Sequence, residues 1–245
     1  MQASNAELII IPLAAGLLYT FDDGNHVTQV HGFVPDQLTP VALPEGYTHL
    51  GFVVSGNATL AYGQTVRTLN QGDYFSVIGP AQIQGEALGL VSSARDYTGF
   101  NLLGGPLEAV GRLRYVSGCS DTLLVPPVRK GDPCLNHLHF PAQTEQVPHT
   151  HPSVRVNLVY KGEGVCMVPD DPRQEVSLVP GHAFIMPTGM LHSFDTRGHS
   201  MDIITFHPDS DFGPTDDDHP MVNRTIVGGV SASHLPELRT EEIRE

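Results

Sequence analysis

Short runs of β-branched and aromatic residues recur along the chain between turn residues: LGFVVSG, ATLAYG, YFSVIGP, VRVNLVYKG, GVCMVP, AFIMPTG and MDIITFHP. Runs of this length bounded by Gly and Pro predict β-strands. With 25 glycines and 20 prolines, the chain is punctuated too often for long helices. The pattern predicts an all-β protein whose one helical stretch is the charged tail LPELRTEEIRE, an end with little apolar surface to bury.

The apolar pattern also repeats. VVSGNATL lies over VYKGEGVCM so that Gly56 meets Gly162 and, after a three-residue gap, QGDYFSVIGP lies over PGHAFIMPTG so that Gly72 meets Gly181. Two copies of one β unit are expected. Ser117 to Cys134, rich in Pro, Gly and polar residues, reads as an arm between them, which divides the chain into residues 1–118 and 119–245.

Composition narrows the function. Of the 245 residues 40% are hydrophobic and 16% charged, ordinary for a packed globular protein. The net charge is −14 and the first basic side chain is Arg67, so a nucleic acid would meet repulsion. LIIIPLAAGLLYTF near the start follows Glu7, contains Pro12 and is too short to span a bilayer, so no membrane partner and a cytoplasmic protein are expected. Cys119, Cys134 and Cys166 have no metal-binding spacing and read as buried thiols.

Candidate chemistry lies in VPHTHPSVRVNLVYKG. Read as a strand, it projects His149 and His151 to one side, about 7 Å apart, where two imidazoles can grip one ion. A third donor must come from elsewhere, and GHAFIMPTGMLHSFDT offers His192 after a Pro-Thr-Gly turn.

These residues resemble the cupin superfamily, and the duplication resembles bicupins. The first cupin motif is Gly, five residues, His-x-His, three or four residues, Glu, six residues, Gly. His149, His151 and Gly162 match, with Gln143 in place of the first glycine and Arg155 in place of the glutamate. The second motif is Gly, five residues, Pro-x-Gly, two residues, His, three residues, Asn. Gly181, Pro187, Gly189 and His192 match, with Thr196 in the last place.

The resemblance implies two cupin-type double-stranded β-helix (jelly-roll) barrels, a homodimer, and one divalent metal held by His149, His151 and His192. Fe(II) is favoured, with Zn, Mn, Ni or Cu as alternatives. Losing the glutamate leaves three neutral imidazoles, with positions open to water, dioxygen or substrate. Arg155 becomes either a fork for a substrate carboxylate, with Asn157 beside it, or a cation turned away to a structural acid. Glu145 is the reserve ligand. His207 and Asp202 have opposite parity, so at most one faces the pocket; His137 and His139 read as outer or surface residues, and Tyr160 as packing outside the barrel.

In the first copy Leu43, Glu45 and about Ile83 fall at the ligand places and His49 at that of Arg155. That barrel is expected to be metal-free and to stabilise the other or form an interface; a pocket using Glu45 and His49 is the alternative. The carboxylates Asp209, Asp211, Asp216, Asp217 and Asp218 depart from a calcium-loop pattern, and this tail faintly resembles that of cupins associated with hydrazine-forming biosynthetic enzymes.

The expected function is a non-haem metal-dependent dioxygenase acting on a small polar, carboxylate-bearing molecule. The alternatives are a Lewis-acid isomerase, lyase or rearrangement enzyme on an amino-acid derivative, N–N bond formation included, and a non-catalytic small-molecule-binding cupin.

Overall fold

The computed structural model describes residues 7–37, 39–168, 175–210 and 219–240. The chain divides into two compact units, Met1–Ser210 and Asp211–Glu245. Nearly all regular structure is antiparallel strand, as the short apolar runs predict. Among the described residues no helix is long and apolar enough to cross a membrane. The apolar run near the start forms two strands, Ile9–Ile11 and Gly16–Asp22.

The first barrel is one eight-stranded sheet folded on itself. Its backbone is a pair of long strands, Tyr47–Tyr62 and Ala81–Arg95, hydrogen-bonded along their whole length. A bulge between Val53 and Ser55 bends the first of them, so one strand serves both layers. The second barrel splits the equivalent path. Arg155–Gly162 lies in a seven-stranded sheet between Ala183–Met186 and Met201–His207, while Gly164–Met167 pairs in a separate four-stranded sheet with Glu175–Leu178 and Ser193–Thr196.

The sequence repeat is also a repeat of backbone geometry. Gly56 and Gly162 have φ of +75° and +70°, and a Cβ on either would strike the carbonyl oxygen of Glu86 or Ser200. Only glycine fits both the left-handed conformation and the close approach. Gly72 and Gly181 donate to Val53 O and Val159 O, each at 2.9 Å, and Val53 and Val159 donate back across the same turns. The bulge at Val53/Ser55 recurs at Val159/Lys161.

Two strands that precede residue 118 pair within the second barrel. Ile9–Ile11 adds to the edge at Ala183–Ile185, and Leu113–Arg114 pairs with Ser120–Asp121. The arm therefore ends in strand Ser120–Val125 rather than running free to Cys134.

Three apolar clusters hold this unit together. One fills the first barrel around Phe33, Leu60 and Phe75, and one fills part of the second around Phe140, Phe184 and Ile203. The third lies between the sheets, where Leu50 and Phe52 face Val156, Leu158, Tyr160 and Phe206. Tyr160 packs there edge-on to Phe52 at 4.9 Å, on the outside of its own barrel. The alternation along Arg155–Gly162 sends even-numbered residues to this seam and Arg155, Asn157 and Val159 inward.

In the second unit a short helix, Pro220–Arg224, is capped by the His219 ring, which accepts from Met221 N and Val222 N. The tail expected to be helical holds a single 3-10 turn, Pro236–Leu238, with residues 241–245 outside the described region. Proline and the scarcity of apolar residues leave nothing to propagate an α-helix. The carboxylates at 211–218 also lie outside the described residues.

Candidate metal centre

His149, His151 and His192 come together, with one ring nitrogen of each within 4.8 Å of the others. Ring centroids are 4.5 Å apart for His149 and His192 and 5.0 Å for the two pairs involving His151. Metal–imidazole bonds of about 2.1 Å would draw these nitrogens in by roughly an ångström.

The segment carrying His149 and His151 is not the regular strand its alternation predicts. His149 and His192 form an isolated bridge, exchanging backbone bonds of 2.9 and 3.0 Å, and the strand proper begins at Arg155. Pro148 and Pro152 flank the histidines and lack the N–H groups that a continuous ladder would use. On the other side Gly189, at φ +73°, donates to His151 O at 2.9 Å and completes the Pro187–Met190 turn that aims His192. Gln143, standing where the cupin motif has glycine, keeps a glycine-like φ of +63°.

The tautomers suit a metal. His149 Nδ1–H donates to Val147 O at 2.9 Å and His192 Nδ1–H to Met190 O at 3.0 Å, leaving both Nε2 lone pairs free. His192 is fully buried and its Nε2 has no partner among the described residues. An orphaned buried acceptor of this kind costs free energy unless something binds it. Burial, then the nearby Arg155 charge, lowers the His151 pKa to about 3, and burial lowers that of His192 to about 4, so both rings are neutral at pH 7, the form that can bind a metal. The donor set fits a first-row divalent ion.

A cavity of about 70 Å³ opens beside the triad, lined by His149, His151, Arg155, Asn157, Gln146 and Asp121 among others. Arg155 is buried, and its Nη1 donates to the carbonyls of Ser153 and Val154 at 3.1 Å and to Ser153 Oγ. Asp209, itself bonded to Ser153, lies 3.9 Å from the guanidinium. The arginine thus lines the cavity and also leans on an acid, leaving Nε without a partner among the described residues. Asn157 is tied up by protein: it donates to Arg155 O and Phe184 O and accepts from Thr205 Oγ1 at 2.9 Å.

His207 lines the cavity, whereas Asp202 points to the other face of the same strand. There its Oδ1 accepts from His137 Nε2 and His139 Nδ1, both at 2.8 Å. Glu145, the expected reserve ligand, is exposed, while Gln146 is buried against the cavity. Counting alternate residues back from His149 puts Glu145 on the ligand side, but the broken ladder at Pro148 shifts the parity by one. Gln146 and Asp121 were missed for that reason and because Asp121 comes from the segment read as a linking arm.

In the first barrel Leu43 pairs with Ala81 where His149 pairs with His192, so Ala81, not Ile83, occupies the third ligand place. Glu45 is exposed. His49 is buried, its Nε2–H donating to Pro44 O at 3.1 Å and its Nδ1 accepting from Ser93 Oγ at 2.7 Å.

No protein-family model and no curated protein sequence matches the chain. Solved structures do. A cupin 2 conserved barrel domain protein from Leptotrichia buccalis aligns at a TM-score of 0.56 and 16% identity, over 85% of this chain and 92% of that one. The fold is that of the cupin barrels. Protein Ylba from E. coli aligns at 0.57 and 16%, over 88% and 91%. A salicylate 1,2-dioxygenase from Pseudoaminobacter salicylatoxidans aligns at 0.55 and 11%, over 76% and 69%.

Proposed function

We infer that the chain is a bicupin metalloenzyme: a mononuclear non-haem dioxygenase, Fe(II)-dependent, acting on a small carboxylate-bearing molecule. The observation that carries this reading is a histidine triad, two of its tautomers fixed by backbone carbonyls and one buried Nε2 orphaned, opening on a cavity that holds a buried arginine. The dioxygenase among the cupin-fold neighbours supports the oxygenase class. A bound iron would supply the redox chemistry toward dioxygen. The protein's part is to hold three neutral imidazoles, exclude bulk water and orient the substrate. Arg155, fixed by the Ser153 and Val154 carbonyls, directs Nε–H at a substrate carboxylate and holds the reacting carbon in place.

A second reading keeps the site and uses Zn, Mn or Ni as a Lewis acid for isomerisation or elimination. Asp121 favours it: burial raises its carboxyl pKa against the opposing Asn136 bond, and its Oδ1 is unpartnered among the described residues, as a proton acceptor requires.

Elemental analysis of purified protein, followed by oxygen uptake with candidate carboxylates, tests both. One equivalent of iron and substrate-dependent oxygen uptake support the dioxygenase. Turnover without oxygen selects the Lewis-acid reading, and failure to bind any of Fe²⁺, Mn²⁺, Ni²⁺ or Zn²⁺ after anaerobic reconstitution defeats both.

A further inference from the structure

The cavity beside the histidines is lined by three side chains whose polar atoms the protein leaves unmet. Gln146 is 5% exposed, and neither its Nε2 nor its Oε1 has a partner among the described residues. Asp121 spends Oδ2 on Asn136 Nδ2 at 2.8 Å and leaves Oδ1 buried and unpartnered. Arg155 likewise leaves Nε. Buried polar groups are satisfied in the great majority of cases. Four orphaned atoms belong to three side chains that line one small cavity, and together they describe a hydrogen-bonding complement for a molecule bound there.

That complement has two signs. Arg155 Nε–H and the Gln146 amide N–H groups need acceptors; Asp121 Oδ1 and the Gln146 carbonyl need donors. Either rotation of the Gln146 carboxamide presents one end of each kind. A simple carboxylate would satisfy the first pair and leave the aspartate facing its negative charge. A simple amine would do the reverse. The cavity of about 70 Å³ is large enough for a small polar group of a few non-hydrogen atoms.

We propose that Gln146, Asp121 and Arg155 form a recognition site for the head group of an α-amino acid. The carboxylate is taken by Arg155 Nε–H and the Gln146 amide, the ammonium by Asp121 Oδ1 and the Gln146 carbonyl. The proposal rests on the metalloenzyme reading for the use made of the bound molecule, but the recognition itself involves none of the metal ligands.

Calorimetric titration of the full-length protein, with and without zinc, separates the two. The probes are L-alanine, propionate, which lacks the ammonium, and ethylamine, which lacks the carboxylate. L-alanine is expected to bind at least about tenfold more tightly than either. Asp121→Asn should remove most of the preference for alanine over propionate while leaving propionate binding within about threefold. Gln146→Leu should weaken alanine about tenfold. If Asp121→Asn does not fold, Gln146→Glu keeps the size of the side chain and should weaken propionate more than ethylamine. Equal affinity for alanine and propionate, an unchanged ratio in Asp121→Asn, or no binding of alanine overturns the proposal. Failure to take up any of Fe²⁺, Mn²⁺, Ni²⁺ or Zn²⁺ with the alanine preference intact overturns the metalloenzyme reading alone.

Discussion

The two barrels share a backbone and differ in what fills it. In the first, Gly51 and Gly89 have no side chains, and the Phe75 and Phe33 rings lie in the space a Cβ would need. Strand pairing puts Asn157 and Ile203 at the equivalent places of the second. There Phe184 stands where Phe75 stands, but opposite Asn157, bonded to Thr205, instead of opposite a glycine. Leu43 and Ala81 likewise replace His149 and His192. At these places the first interior is filled by aromatic rings, while the second carries Asn157, bonded to Thr205, beside the cavity.

The largest effect expected is at the triad. His192→Ala should abolish metal retention, and with it the rise in melting temperature that added zinc gives the wild type; near-stoichiometric metal in the variant would break the assignment. Next is the closed interior: Phe33→Ala should cost about 3–5 kcal/mol in urea unfolding. Asn157→Ala in the open barrel should cost about 1–3 kcal/mol by stranding the Thr205 hydroxyl. Equal losses would erase the distinction between the barrels.

Acid should act on both barrels and zinc on one. Burial lowers the pKa of His31 and His49 to about 4, as it does for His192, and that of His151 to about 3. All four lie below the ordinary value of 6.5, so their contribution to stability is intact above pH 6.5 and is lost as the pH falls towards 4. The melting temperature should be flat from pH 8 to 7 and then fall. Zinc should raise it at pH 7.5, by an amount that shrinks only as the pH approaches 4, where His192 and then His151 take up protons. A zinc effect independent of pH would contradict this. The smallest effect is Ser93→Ala, which leaves His49 Nδ1 without its bond and should cost about 1 kcal/mol without altering metal content.

Much of this was legible in the residues. Strand-length apolar runs, glycines at the repeated left-handed turns and the His-x-His spacing are local signals, and they located the β-barrel fold, the matching turns at Gly56 and Gly162, and the three histidines that come together. The departures also have local causes. Gln143 was read as a missing glycine, yet it adopts the glycine conformation at φ +63°. Glu145, the reserve ligand on its nearness to His149 in sequence, is exposed, because the ladder breaks at Pro148 and turns Gln146 inward instead.

What the sequence by itself determined is therefore which residues can turn, which must be buried and which can bind an ion, since each follows from one side chain and its near neighbours. Only the tertiary structure decided which polar atoms go unmet. Gln146 and Asp121 come from separate segments, and Ile9–Ile11 reaches across the chain to the edge at Ala183–Ile185. Whether a buried donor or acceptor is satisfied depends on strands distant in sequence, so no reading of one segment can find it.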